Sequence, residues 1–302
     1  MSGLKKHAQN KLGRSFILLG LLGFSLSSAQ VPPTASNSPH IFLLILENHS
    51  YGQVIGNPNL PTLNALAKRG ALARNYTGVT HPSLPNYVAL IAGSTMNMVG
   101  DDPAQSFVGA TLASQLADQR LTWKGYMQGL PAAGSNVNYA GLYGKKHNPF
   151  MLSSDLVKQP KQLANVVPFE QLQTDLQRGQ VPNFSLLVPD LCHDLHGDLR
   201  CLGRANVERT GDAFVKKWAD QIMASSVWKP GAALIITFDE GEDQQGGGGR
   251  VATILLTPGG QGGKVSDQPY NHYSLLRSME DHLGVPPLRE AARATPMSDL
   301  WP

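Results

Sequence analysis

The chain is expected to fold as an α/β domain with a mainly parallel central sheet and helices on both faces. Three observations carry that expectation: short continuous apolar runs, helix-like segments between them, and the alternation of the two along the chain. The first run, residues 41–46, reads Ile-Phe-Leu-Leu-Ile-Leu and ends directly at Glu47-Asn48. It has no polar face, as a parallel strand covered on both sides requires. Residues 60–70 read as a helix and 71–76 as an extended segment. Pro82 and Pro85 then stiffen the approach to a buried helix over 88–92 that stops at Gly93. A helix over 110–119 and a short strand over 121–126 follow. Residues 183–188 form a strand ending at Pro189-Asp190, 212–224 a helix, and 232–238 a second strongly apolar strand ending at Asp239-Glu240. A further strand over 251–256 and a closing helix over 273–283, ended by Gly284, complete the alternation.

The first 29 residues stand outside this pattern. Lys5, Lys6, Lys11 and Arg14 precede an apolar stretch from Phe16 to Leu26, and Ser27-Ser28-Ala29 offers small residues for cleavage. This is the layout of a secretory signal peptide. Residues 30–302 then form a single domain, secreted or periplasmic, without stable membrane insertion. The leader holds four of the 25 basic residues and none of the 22 acidic ones, which leaves 21 against 22. A near-neutral mature chain has no basic patch for nucleic acid. In an exported chain, Cys192 and Cys201 are expected to close a disulfide. The sequence sets no oligomeric state.

Ligands of open α/β sheets bind beyond the carboxyl ends of the strands. Glu47, Asn48, Ser83, Asp190, Asp194, Asp239 and Glu240 gather at that edge. Glu47, Asn48, Asp239 and Glu240 offer only oxygen ligands, a set suited to a hard divalent ion such as Ca²⁺, Mg²⁺ or Mn²⁺. Ser83, at a helix start after a Pro turn, is placed as an N-cap beside free backbone N–H groups, a setting for a phosphate or a developing oxyanion. His196 and Asp194 share a loop with the cysteine pair, and His272 enters the closing helix from another loop. Residues 244–250, with four consecutive glycines, read as a mobile loop beside the site or as a plain surface loop.

Together the segments Leu46-Glu47-Asn48-His49-Ser50-Tyr51, His81-Pro82-Ser83-Leu84-Pro85-Asn86-Tyr87, Lys146-His147-Asn148-Pro149-Phe150, Asp190 through His196, Phe238-Asp239-Glu240 and Asn271-His272-Tyr273-Ser274 resemble the bacterial phosphoesterase family of acid phosphatases and phospholipases C, within the alkaline-phosphatase superfamily. The resemblance implies an alkaline-phosphatase-like sandwich and a metal-dependent phosphomonoesterase, with Ca²⁺, Mg²⁺, Mn²⁺ or Zn²⁺ as cofactor. Ser83 would be the nucleophile, with His147 or His196 as proton donor and Asn86, Lys146, His272 and Asp194 in contact with substrate. The substrate would be a phosphate ester, either a small molecule or a lipid headgroup such as a phosphoinositide. A phospholipase C-type phosphodiesterase is the alternative. The chain looks more like the short secreted acid phosphatases than like the larger phospholipase members, which carry a C-terminal extension.

Overall fold

Strand β1 (His40–Leu46) lies inside a nine-stranded sheet. Six of its seven residues are buried, so both faces of the sheet are covered there. The computed structural model describes residues 39–301 apart from 202 and 261; the leader expected at 1–29 lies outside them. The remaining strands are β2 (Ala71–Thr77), β3 (Trp123–Met127), β4 (Tyr139–Ala140), β5 (Tyr143–Gly144), β6 (Val166–Pro168), β7 (Phe184–Val188), β8 (Ala232–Phe238), β9 (Arg250–Leu256), β10 (Lys264–Ser266) and β11 (Tyr270–Asn271). The principal helices are α1 (Pro61–Arg69), α2 (Ser83–Ala92), α3 (Leu112–Asp118), α4 (Gln171–Arg178), α5 (Arg204–Ala224) and α6 (His272–Leu283). Strand order is β10-β2-β9-β8-β1-β7-β3-β6, with β11 also paired to β2 and with β4 and β5 forming a separate hairpin.

Pairing is parallel throughout the sheet except at β9, which runs against both β8 and β2. The expected α/β architecture is therefore observed, with one reversed strand. The carboxyl ends of β1, β2, β3, β7, β8 and β11 consequently share one edge. Helices α1 and α5 pack together, as do α2 and α6.

The sequence pattern places the long strands and most of the principal helices, but it misses α4 (Gln171–Arg178) and several short pieces. Strands β6, β10 and β11 have two or three residues each, too few to show a period. The third strand lies over Trp123–Met127, one or two residues later than expected. Helix α5 starts at Arg204, well before residue 212. Asp212 looks like a helix-starting residue, but its carboxylate accepts the Thr62 and Leu63 N–H groups at 3.0 and 2.9 Å, capping α1 rather than its own helix.

Glu280 on α6 is fully buried. One carboxyl oxygen accepts the Leu288 N–H at 2.9 Å and the other has no partner. Burial pushes its pKa up to about 8. A carboxyl group that keeps its proton longer in the folded state contributes stability below the unfolded pKa, and loses it as pH rises toward the folded value. The melting temperature of Glu280→Gln, compared with the unmodified chain, should therefore gain ground steadily from about pH 4.5 to about pH 8. Parallel melting curves across that window would show that Glu280 does not titrate as described.

Candidate active site

The register between β1 and β8 sets Leu46 opposite Phe238, so both strands release a carboxylate at the same height. The Asp239 N–H donates to the Leu46 carbonyl at 3.0 Å, and the Asn48 N–H donates to Asp239 Oδ1 at 3.0 Å. Asn48 takes a left-handed backbone (φ 51), which asparagine tolerates better than most residues. Glu47 N–H donates to the Asp194 carbonyl at 2.7 Å and draws in the loop after β7. Glu47, Asp194 and Asp239 are completely buried and Glu240 nearly so.

Burial, and then the charges of Asp239 and Asp194, raise the Glu47 pKa well above the usual carboxylate range; Asp194 is raised chiefly by burial. Asp239 is pushed up to about 7 by burial and by Glu240. Glu240 is raised by burial, against the pull of His81. Glu47 Oε1, Asp194 Oδ2 and Asp239 Oδ2 have no hydrogen-bond partner.

Ser83 Oγ lies 3.1 Å from Glu47 Oε2 and 3.1 Å from Glu240 Oε1, and its single proton serves one of them at a time. Helix α2 holds it rigidly, because every residue of the helix is buried. Tyr87, Leu90 and Ile91 enter the main core, while Leu84, Val88 and Ala92 pack into a second cluster with Phe107 and Leu152. The expected capping differs. Pro82 is the N-cap and Ser83 the first helical residue, and Asp101 Oδ1 accepts the Leu84 N–H at 3.0 Å. Pro85 has no N–H, so Ser83 keeps the remaining backbone donor at the helix start. Asp101 Oδ2 in turn accepts from Lys146 Nζ at 2.7 Å. Burial opposes the Lys146 charge, but Glu47, Asp101 and Asp239 keep it protonated above its ordinary value.

Three residues expected to touch substrate stand elsewhere. Asn86 is fully buried; its Oδ1 accepts the Val79 and Thr80 N–H groups at 2.9 and 3.3 Å, and its Nδ2 donates to the Thr80 and Pro82 carbonyls at 2.7 and 3.2 Å. The whole amide braces the turn before Ser83 and has no donor left for phosphate. His272 is also fully buried, its Nε2 donating to the Asp239 carbonyl at 2.5 Å and its Nδ1 accepting from the Tyr76 hydroxyl at 2.9 Å. Burial lowers its pKa to about 4, which keeps the ring neutral. Asp194 belongs with the buried carboxylates, and a carboxylate there repels a phosphate.

The two proposed proton donors differ sharply. His147 is buried, stacked on Tyr87 with ring centroids 5.1 Å apart, and its Nε2 faces Glu47 Oε1 at 3.1 Å although neither atom completes a hydrogen bond. Burial and Lys146 lower its pKa well below the ordinary value, so it is a poor acid. His196 is exposed. Its Nδ1 donates to the Gly197 carbonyl at 2.7 Å, leaving Nε2 free to face a ligand, and its backbone N–H donates to Asp194 Oδ1 at 2.9 Å. Cys192 and Cys201 are disulfide-bonded with Cα atoms 5.6 Å apart, closing the loop that carries both residues. Within that loop Leu195 is buried and held at φ 80.

The four-glycine segment is split: residues 244–247 are exposed, as in a plain surface loop, while Gly248 and Gly249 are buried against the segment leading to Ser83. Gly78 N–H donates to the Gly249 carbonyl and Gly241 N–H to the Gly248 carbonyl, both at 2.9 Å. A Cβ on Gly248 would meet Gly78 C, Val79 N and Thr80 N at 2.5 to 2.7 Å. Asp243 fixes the loop by accepting the Gln245 and Arg250 N–H groups at 2.9 and 3.0 Å. His81, whose Nδ1 contacts Glu240 Oε2, donates from Nε2 to the Asp243 carbonyl at 2.9 Å. Asp101, His81 and Asp243 were not singled out as site residues by the sequence, which carries no periodic or motif signal for Asp101 and Asp243.

A sequence model described as the phosphoesterase family matches residues 57–286. The chain belongs to the phosphoesterase family. It is a phosphoric ester hydrolase, and phosphatase activity follows from its relatives. Its sequence is 30% identical to a phosphatidylinositol-3-phosphatase of Mycobacterium tuberculosis, covering 95% of this chain and 94% of that protein. It is 28% identical to an acid phosphatase of Aspergillus fumigatus over 82% of this chain, but spans only 55% of that longer protein. Among solved structures, a protein of the alkaline phosphatase superfamily from Vibrio parahaemolyticus superposes with a TM-score of 0.60 at 14% identity, covering 87% of this phosphoesterase and 72% of that chain. At that identity the likeness establishes the fold alone.

Because Gly248 lies backbone to backbone against the segment leading to Ser83, Gly248→Ala should lower kcat on the order of 10²-fold with a far smaller change in KM. Gly52→Ala, where a Cβ meets nothing within 4 Å, serves as the control. Equal kinetics in the two variants would show that the loop does not place Ser83.

Proposed function

We propose that this phosphoesterase is a cation-dependent phosphomonoesterase working through a phosphoserine at Ser83. The observation that carries the reading is the convergence of buried carboxylates on one buried hydroxyl, with unpartnered oxygens on Glu47, Asp194 and Asp239. Uncompensated carboxylates at such depth are costly, and a divalent cation relieves that cost. Among the described residues no three His, Cys, Asp or Glu side chains stand in a ready coordination geometry. The donor chemistry nevertheless fits a hard ion, which Glu47, Asn48, Asp239 and Glu240 would hold. When bound, such an ion neutralises the carboxylates and lowers the pKa of the neighbouring hydroxyl.

The chain's own residues account for the remaining steps. Ser83 Oγ attacks phosphorus while its proton passes to a carboxylate oxygen 3.1 Å away, on Glu47 or Glu240. The phosphorus–alcohol oxygen bond breaks, and the alcohol takes a proton from His196 Nε2. Lys146 and the Ser83 N–H hold the phosphoryl oxygens. Water then forms a new bond to phosphorus and gives a proton to His196 Nε2, the bond to Oγ breaks, the carboxylate returns its proton to Oγ, and inorganic phosphate leaves. The mycobacterial relative's name supports a phosphoinositide as one substrate class. Export directed by residues 1–29 belongs to the same reading, and the disulfide suits an oxidising compartment. Among the described residues no helix is long and apolar enough to cross a membrane.

Ser83→Ala should reduce phosphate release from p-nitrophenyl phosphate by on the order of 10³-fold or more, without changing the melting temperature greatly. Retention of most activity would remove Ser83 from the role of nucleophile. Chelator-treated protein, shown metal-free by elemental analysis, should be inactive and recover with one of Mg²⁺, Mn²⁺, Ca²⁺ or Zn²⁺. Asp239→Asn should lose bound metal and activity together. Full activity in the metal-free protein would overturn the cation.

A further inference from the structure

Two sets of carboxylates compete for the Lys146 ammonium. Lys146 lies in the single turn Lys145–His147, where the Lys145 N–H donates to the Asn138 carbonyl at 2.9 Å and the Asn148 N–H donates to the Lys145 carbonyl at 2.8 Å. The next residue, His147, is buried with its Nε2 3.1 Å from Glu47 Oε1. The backbone beside the carboxylate cluster is therefore fixed, and the long, flexible Lys146 stem alone decides where its charge goes. Burial opposes that charge, and Glu47, Asp101 and Asp239 all favour it. Glu47 Oε1 and Asp239 Oδ2 are buried without a hydrogen-bond partner, so they attract the ammonium strongly.

Asp101 prevails because it is anchored. Its Oδ2 accepts from Lys146 Nζ at 2.7 Å while its Oδ1 accepts the Leu84 N–H at 3.0 Å, in the first turn of α2. The loop behind it is held by Gln105, whose Oε1 accepts the Val99 N–H at 3.1 Å and whose Nε2 donates to the Val99 carbonyl at 2.9 Å. Met98 ties the same loop into the cluster that contains Leu84 and Val88. Such a carboxylate cannot follow the ammonium inward. The pair also keeps some water, with the Lys146 and Asp101 side chains 17% and 32% exposed against 0% for Glu47. Moving the ammonium onto Glu47 would remove that hydration.

We infer that Asp101 is a positioning residue that keeps the Lys146 ammonium away from the cation-holding carboxylates, so that a lysine charge and a divalent ion can share one buried site. Without it, the ammonium is drawn toward the unpartnered oxygens of Glu47 and Asp239 and competes there with the ion, one positive charge in place of two. The residue type agrees with this role. Asparagine or serine would cap Leu84 as well as aspartate does, but neither would hold the lysine. The inference rests on the cation of the proposed function.

The test titrates Mn²⁺, with Mg²⁺, Ca²⁺ and Zn²⁺ in parallel, into the chelator-treated full chain by calorimetry. The proteins compared are the unmodified chain, Asp101→Asn, Lys146→Met and the double variant. Asp101→Asn keeps an acceptor for the Leu84 N–H and should weaken cation binding about tenfold, because a unit charge then competes within the site. In the Lys146→Met background the same substitution should change the affinity by less than about twofold, since no ammonium is left to move. Asp101→Ser, whose hydroxyl can also cap Leu84, should repeat both results and replaces the asparagine variant if that one fails to fold. An equal loss in both backgrounds would show that Asp101 acts through its own charge or through the helix cap, and would overturn the inference. Unchanged affinity in both backgrounds would overturn it too. An unmodified chain that binds none of the four ions would instead remove the cation itself, and this role of Asp101 with it.

Discussion

Parallel pairing of β1 and β8, with Leu46 opposite Phe238, is the constraint on which the site depends. Two apolar strands ending at the same height bring Glu47 and Asp239 side by side, where the hydrophobic core that stabilises the sheet also strips water from the carboxylates. The backbone adds Asp194 through the Glu47 N–H, and the chain after Asp239 adds Glu240. The depth that raises these pKa values also gives a bound charge its leverage, because electrostatic interactions strengthen as solvent is excluded. Stability and chemistry thus pull against each other at one point of the fold.

Several polar side chains around this point act on the backbone rather than on a ligand. Asn86 ties the turn before the helix, Asp101 caps Leu84 and holds Lys146, and His272 links β2 to the Asp239 carbonyl through Tyr76. Each reaches across sequence-distant segments, so Ser83 is placed by a lattice of small constraints and not by its own helix alone. That arrangement agrees with pre-organisation: the buried Ser83 hydroxyl is fixed by the fold itself.

Much of this could be read from the sequence, for identifiable reasons. The strands at 41–46 and 232–238 are uninterrupted apolar runs, and each announces its end with an acidic residue. The segments around Ser83 and Lys146 resemble a family closely enough to mark them. What escaped depends on where side chains point. Nothing in Asn86 as a letter tells whether its amide faces phosphate or its own turn, and nothing in the four glycines tells that Gly248 lies against Gly78 and Val79. His147 and His196 look alike as histidines, yet one is buried on Tyr87 and the other exposed. Burial, which separates them chemically, is a tertiary property.

The backbone bonds between Gly78 and Gly249 and between Glu47 and Asp194 join regions far apart in the chain. Closing such long loops is entropically expensive and comes after local structure has formed. Ser83 therefore has no proper position until both halves of the sequence have met across the sheet. The geometry of the site in this fold is a property of completed topology: no fragment that omits either half would hold the Ser83 hydroxyl in place, however well its own helices formed.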